Sequence, residues 1–155
     1  MASDIVITSD STTDLSPELR ERYNISVAPL GITLGDKVYT DGVDITPDDI
    51  YAHHAKTGEL PKTTATNVGD CLDFFKKFTD EGKTVIHFTI SSDMSSTYNN
   101  ACIAASELEN VYVIDTKNLS TGGGLLVVAA AEMLRDGLSA EEIVKKSTEL
   151  VPCVD

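Results

Sequence analysis

Residues 5–14 have the sequence IVITSDSTTD, and this segment sets the pattern for the rest of the chain. Its first four residues are β-branched, which is typical of a buried strand, and the next six all carry a hydroxyl or a carboxylate. Ser16 and Pro17 then supply an N-cap and a proline at the first helical position. The segment therefore predicts a strand that leads through a polar loop into a helix.

The same order of strand, polar loop and helix occurs twice more. A strand is predicted at 84–90, followed by serines, an aspartate and a helical spacing of apolar residues from Met94 onward. Another strand is predicted at 111–114, ahead of an apolar helix at 120–134, and a capping box at Ser139 begins the last helix. Strands that alternate with helices predict the α/β class, with a mostly parallel, doubly wound sheet flanked by helices.

The region between the first helix and residue 84 has weaker signals. Residues 25–34 are rich in β-forming residues but contain Pro29 and Gly31, so we expect one strand with an edge or a bulge. A short hairpin partner is expected at 37–39, and the polar, aperiodic residues 61–66 predict a loop. Two helices are also expected, one from Thr46 to near Gly58 and one that carries Leu72, Phe75 and Phe78 and ends at Gly82.

Composition limits the classes of partner. Asp and Glu number 25 against 12 Lys and Arg, a net charge of −13, which argues against a nucleic-acid backbone or an anionic membrane surface. The 155 residues suit one domain, and no secretory signal or transmembrane segment is expected, since the apolar run at 125–131 is far below the ~20 residues of a membrane span. Three widely spaced cysteines without a C-x-x-C pair predict reduced thiols and a cytoplasmic location.

Hydroxyl side chains are concentrated in three predicted loops, at 8–16, 63–66 and 91–97. In an open α/β sheet, ligands bind at the carboxyl ends of the strands, where the N-termini of helices point. Hydroxyl and backbone N–H donors in such loops suit an anion, either a carboxylate or a phosphate. Helix capping alone is the alternative for each loop, but five hydroxyls at 91–97 are more than one cap requires.

Other patterns are weaker candidates for chemistry. The loop from Asp10 to Asp14 leaves open an enzyme that transfers or hydrolyses a phosphoryl group, although its spacing matches neither an aspartate-nucleophile nor a metal-adhesion motif. Adjacent histidines at 53–54 diverge on a helix, so no metal site is predicted. His87 is interpreted as a packed histidine, and the glycines at 122–124 as a site where their helix packs closely against the sheet.

Five segments in order resemble the N-terminal domain of the DegV family of bacterial fatty-acid-binding proteins. They cover nearly the whole chain and lie at 5–15, 27–30, 61–64, 90–98 and 113–116, with Ser120 and the glycines downstream. The resemblance implies a carrier rather than an enzyme, without catalytic residues or cofactors, that holds a long-chain fatty acid in an apolar tunnel. It also implies that some members present the carboxylate of the ligand to a separate kinase subunit for phospholipid synthesis.

The resemblance implies that Thr63 and Ser95 bind the carboxylate of the fatty acid, with Thr64, Ser92 and Ser96 in secondary roles. This chain departs from the family pattern after Thr63, where Thr64-Ala65-Thr66 replace Ser-Gln-Pro, and at Asp93, where a glycine is usual. An inward Asp93 would repel a carboxylate, but as an N-cap it would turn away.

Length is the largest departure. Family members have about twice as many residues, in two domains with the fatty acid between them, so residues 1–155 correspond to the N-terminal α/β domain and the second domain is absent from this chain. The domain interface that this leaves uncovered is a possible surface for self-association.

Overall fold

A computed structural model of the chain describes residues 4–154. The strands are β1 (Ile5–Asp10), β2 (Ser26–Ala28), β3 (Gly31–Leu34), β4 (Lys37–Thr40), β5 (Lys62–Thr64), β6 (Thr84–Thr89) and β7 (Val111–Asp115). The α-helices are α1 (Pro17–Tyr23), α2 (Pro47–Thr57), α3 (Val68–Thr79), α4 (Thr97–Ser106), α5 (Thr121–Arg135) and α6 (Ala140–Leu150). Short 3-10 turns lie at Ser11–Thr13 and Val151–Cys153.

Four parallel strands form the main sheet, in the order β2-β1-β6-β7. Ser9 lies opposite Phe88, and Thr89 lies opposite Asp115, so the carboxyl ends of β1, β6 and β7 are aligned. The hydroxyl-rich loops that follow β1 and β6 therefore meet at one edge of the sheet, as parallel pairing requires. The predicted α/β class is confirmed.

Helices cover both faces of this sheet. Ile86 and Phe88 belong to a core cluster with residues of α5 and α6, whereas Val85 packs with residues of α3 and α4 on the other face. This alternation has the period of two that a strand imposes on its side chains. Helices on both faces are the doubly wound arrangement that the sequence predicts.

The prediction of a single bulged strand at 25–34 is wrong. The segment divides at Pro29 into β2, which joins the main sheet, and β3, which belongs to a separate antiparallel sheet of order β4-β3-β5. The hairpin partner expected at 37–39 is confirmed as β4. The loop expected at 61–66 contains β5, whose residues are all exposed and which is held by backbone pairing with β3.

The helix expected from Met94 onward begins later than predicted. Residues 91–96 form turns, and α4 begins at Thr97 with Ser96 in the cap position, where its side chain makes no capping hydrogen bond. Asp93 is therefore not an N-cap. Its carboxylate instead lies 3.4 Å from the Lys117 ammonium, directed to the loop after β7.

His87 is packed inside the protein, as its place in the strand predicts. Its ring lies 5.0 Å from the ring of Phe75 and 5.9 Å from that of Phe74, and its Nδ1 is 2.8 Å from Thr8 Oγ1. Burial lowers the pKa of His87 to about 3, so the folded protein holds a neutral imidazole. The ring is therefore a packed part of the core between the main sheet and α3.

His87 should make the protein sensitive to mild acid. Its folded pKa lies below the ordinary value of 6.5, so its contribution to stability is present above pH 6.5 and is lost as the pH falls towards the folded pKa. From pH 7 to pH 5 we expect the wild type to lose about 2 kcal/mol more free energy of unfolding than His87→Asn. Denaturant titrations at both pH values measure this difference, and equal losses in the two proteins would contradict it.

The glycines that begin α5 allow the helix to approach the loop after β1. A Cβ on Gly124 would lie 2.8 Å from the backbone oxygen of Thr13, whereas one on Gly123 would meet only ordinary contacts at 3.5 Å or more. The Ser120 hydroxyl donates to Asp14 Oδ2 at 2.6 Å and joins the same two segments. The close approach predicted for this glycine run occurs at Gly124, and its partner is the turn after β1 rather than a strand of the sheet.

Gly124→Ala should lower the free energy of unfolding by about 1–3 kcal/mol, because backbone atoms of Thr13 block the new methyl group. Gly123→Ala is the matched control, one residue away. It should be neutral or gain at most about 1 kcal/mol from helix propensity. Chemical denaturation of both variants checks the prediction, which fails if Gly124→Ala is no less stable than Gly123→Ala.

Candidate functional site

A cleft of about 360 Å³ lies at the carboxyl edge of the main sheet, where the small antiparallel sheet meets the loop before α4. Its polar wall carries hydroxyls from three separate segments, and its remaining wall is apolar. The lining residues are Thr12, Leu30, Thr63, Thr64, Ala65, Ile90, Met94, Ser95 and Leu119. The two side chains singled out from the sequence, Thr63 and Ser95, thus share one cavity.

Two of the three secondary residues lie outside this lining. Thr64 lines the cleft beside Thr63, but Ser92 accepts a hydrogen bond from Lys117 Nζ at 2.8 Å and belongs to a neighbouring charged cluster. Ser96 is exposed at the start of α4. The turn at 91–96 therefore directs its hydroxyls in different directions, and Ser95 is the serine of this turn that faces the cavity.

Strand β5 positions the two threonines. Thr63 lies opposite Ile32 and Thr64 opposite Gly31 in the antiparallel ladder with β3. A Cβ on Gly31 would come within 2.5 Å of Thr64 Oγ1, so this glycine leaves the space in which the Thr64 side chain lies. The residues of β5 are polar and exposed, so the pairing with β3 is what holds them at the edge of the cleft.

Ser95 is held by local hydrogen bonds. Its Oγ accepts from the backbone N–H of Thr97 at 3.2 Å and lies 2.9 Å from Thr97 Oγ1. This is a serine turn that precedes the first turn of α4. The half-buried Ser95 is thereby fixed in place, while its hydroxyl remains next to the cavity.

Asp10 supports the cleft from behind and does not face it. Its Oδ1 accepts hydrogen bonds from Thr12 N at 3.1 Å and Thr12 Oγ1 at 2.6 Å, and its Oδ2 accepts from Ile90 N at 2.7 Å. Burial raises the pKa of Asp10, although these hydrogen bonds oppose the shift. The carboxylate is fully buried, so it has no open side for a substrate, and it fixes two residues that line the cavity.

The apolar lining was not identified from the sequence. Leu30 and Ile90 are buried, whereas Met94 and Leu119 are 61% and 49% exposed at the rim. Leu30 and Ile90 lie in predicted strands, whereas Met94 lies in a predicted helix and Leu119 directly precedes one. Nothing in their local sequence distinguishes them from ordinary core or surface residues.

No charged residue lines the cleft, in contrast to the acidic character of the whole chain. Two clefts are larger, with volumes of about 570 and 420 Å³. Each is lined by two carboxylates and one lysine, and neither is lined by Thr63 or Ser95. Carboxylates in a cavity repel an anionic ligand. Of these three clefts, the uncharged one is therefore the best site for an anion, although it is the smallest.

A charged cluster lies beside the cleft and holds its acidic groups away from it. Lys117 Nζ is 3.3 Å from Asp115 Oδ2 and 3.4 Å from Asp93 Oδ2. Burial would raise the pKa of Asp115, but hydrogen bonds from Ser92 and Lys117 outweigh it and hold the pKa below its usual value. Asp93, which departs from the family pattern, is thus paired with a cation rather than directed at the cavity.

Neither a metal site nor a membrane span is found in the described part of the chain. Among residues 4–154, no three His, Cys, Asp or Glu side chains are grouped so that they could hold a metal ion. None of the helices described there combines the length and the apolar character needed to cross a bilayer.

Comparisons with known proteins agree with this fold. A family model described as "Uncharacterised protein, DegV family" matches residues 4–153. A DegV domain-containing protein of Clostridium perfringens is 38% identical over 147 residues, which cover 94% of this chain and 53% of the relative. One from Staphylococcus aureus is 37% identical over 146 residues, covering 94% and 52%. The chain thus spans about half the length of these curated relatives.

Solved structures show the same architecture. A DegV family protein from Thermus thermophilus, described by its fatty-acid binding, has a TM-score of 0.87 and 32% identity over 96% of this chain and 53% of its own. A stearic acid-binding protein from Eubacterium ventriosum has a TM-score of 0.84 and 37% identity over 91% of this chain and 51% of its own. With a family match along almost its whole length and these structural relatives, the chain belongs to the DegV family.

Proposed function

We propose that the chain binds a long-chain fatty acid, with the carboxylate between Thr63 and Ser95. The observation that carries the proposal is the uncharged cleft in which these two hydroxyls, from segments far apart in the sequence, line one cavity with apolar side chains. Relatives described as fatty-acid-binding and stearic acid-binding support the same ligand class.

The two parts of the ligand would be bound by different forces. Hydroxyl donors to a carboxylate form charge-assisted hydrogen bonds worth about 1.5–3 kcal/mol each. An acyl chain gains about 0.8 kcal/mol for each CH₂ removed from water, and Leu30, Ile90 and Met94 supply apolar wall for its first carbons. Such binding needs no catalytic base, which fits a carrier rather than an enzyme.

The rest of the carrier function is proposed from the family resemblance. Residues 1–155 would form the N-terminal half of a two-domain carrier, and the second domain would enclose the remainder of the acyl chain. A cytoplasmic kinase subunit would then receive the carboxylate at the open rim near Met94, which is 61% exposed. Without the second domain, the same rim would be the surface for self-association.

The alternative of phosphoryl transfer or hydrolysis by the loop from Asp10 to Asp14 has less support. Both oxygens of the buried Asp10 carboxylate accept hydrogen bonds from the chain itself, so neither is free. A nucleophilic or metal-binding carboxylate needs a free oxygen towards its substrate or metal. No observation at this loop favours catalysis over the structural role.

Thr63→Val and Ser95→Ala should each weaken the binding of oleate about 10- to 100-fold, because each removes one charge-assisted hydrogen bond. The chain has no tryptophan, so displacement of a fluorescent fatty-acid analogue by oleate is a suitable measurement. Native mass spectrometry with solvent extraction, applied to the purified wild type, identifies a fatty acid that co-purifies.

Ser96→Ala is the matched control, since Ser96 is adjacent to Ser95 but exposed and outside the lining of the cleft. It should bind oleate as the wild type does. The proposal is wrong if the wild type binds no oleate, or if Thr63→Val and Ser95→Ala bind it as tightly as Ser96→Ala.

A further inference from the structure

A buried hydroxyl lies behind the serine of the cleft. Thr97 is the first residue of α4 and is fully buried, so it cannot touch a ligand in the cavity. Its Oγ1 is 2.9 Å from Ser95 Oγ, and its backbone N–H donates to the same oxygen at 3.2 Å. Within residues 4–154, the structure gives the Thr97 hydroxyl no hydrogen-bond partner other than the Ser95 hydroxyl.

The number of hydrogen bonds that a hydroxyl can make restricts the direction of this contact. A serine hydroxyl donates one proton and accepts two hydrogen bonds. When Thr97 donates both its N–H and its O–H, both acceptor positions of Ser95 are filled. The proton of Ser95 is then the one group left to point into the cleft.

We propose that Thr97 is a positioning residue that holds Ser95 as a hydrogen-bond donor towards an acceptor-only head group. The inference rests on the proposed function and extends it. A carboxylate only accepts hydrogen bonds, so it binds Ser95 only when the Ser95 proton is turned towards it and away from Thr97. The reverse arrangement, with Ser95 donating to Thr97, leaves the serine unable to donate to the ligand.

The chain of donors has two effects on binding. Thr97 O–H to Ser95 Oγ, followed by Ser95 O–H to the carboxylate, is a series in which each hydrogen bond polarises the next. It also removes rotational freedom from the Ser95 hydroxyl before the ligand arrives, which reduces the entropy lost on binding. A fatty alcohol can donate as well as accept, so it does not require this direction.

Thr97→Val tests the inference, because valine keeps the shape and the backbone N–H of Thr97 and removes its hydroxyl. We expect oleate to bind about 3- to 10-fold more weakly than to the wild type, by loss of one neutral hydrogen bond. Binding of oleyl alcohol should change less than that of oleate. Thr97→Ser, which restores the hydroxyl, should recover oleate binding.

A double-mutant cycle separates positioning from general damage. In the Ser95→Ala background, Thr97→Val should cause no further loss of oleate affinity, because its partner is gone. Unchanged oleate binding by Thr97→Val, an equal loss in both backgrounds, or failure of Thr97→Ser to restore binding would each overturn the role of Thr97. These outcomes leave the proposed function intact, whereas a wild type that binds no oleate contradicts both.

Discussion

The buried carboxylate of Asp10 is the contact on which the functional edge of this protein depends. It accepts hydrogen bonds from the backbone of Ile90 and from Thr12, and so it joins the ends of the two central strands at the point where the cleft begins. A carboxyl group removed from water is tolerated only when its oxygens are hydrogen-bonded, and here both are. In the fold, this aspartate links the ends of β1 and β6 through hydrogen bonds.

The cleft is electrically distinct from the rest of the chain. The protein carries a net charge of −13, yet the lining of the cavity has no ionised side chain. An anion there would be held by directed hydroxyl groups against an unfavourable overall field, and at short range oriented donors outweigh distant, solvent-screened charges. Lys117 pairs with both Asp93 and Asp115 and so offsets part of the negative charge beside the loop.

The predictability of the fold varied with the strength of local signals. Three of the four strands of the main sheet, β1, β6 and β7, are rich in β-branched residues and bounded by polar loops, so they were located correctly from 5–8, 84–90 and 111–114. Strand β5 was missed because all three of its residues are exposed and polar, and backbone pairing with β3 alone makes it a strand. The start of α4 was misplaced because Met94 matches the helical spacing but lies in a turn at the rim of the cleft.

The sequence was sufficient for the α/β alternation and for the resemblance to the DegV family, and that resemblance implied Thr63 and Ser95 as candidate ligands of a carboxylate. These rest on residue type and order, which the chain carries before it folds. The tertiary structure was needed to bring β5 to the turn before α4, to direct Ser92 to Lys117 and away from the cavity, and to bury Thr97 behind Ser95. Contacts of this kind join residues that are distant along the chain or follow the exact path of a turn, and no periodicity in the sequence specifies them.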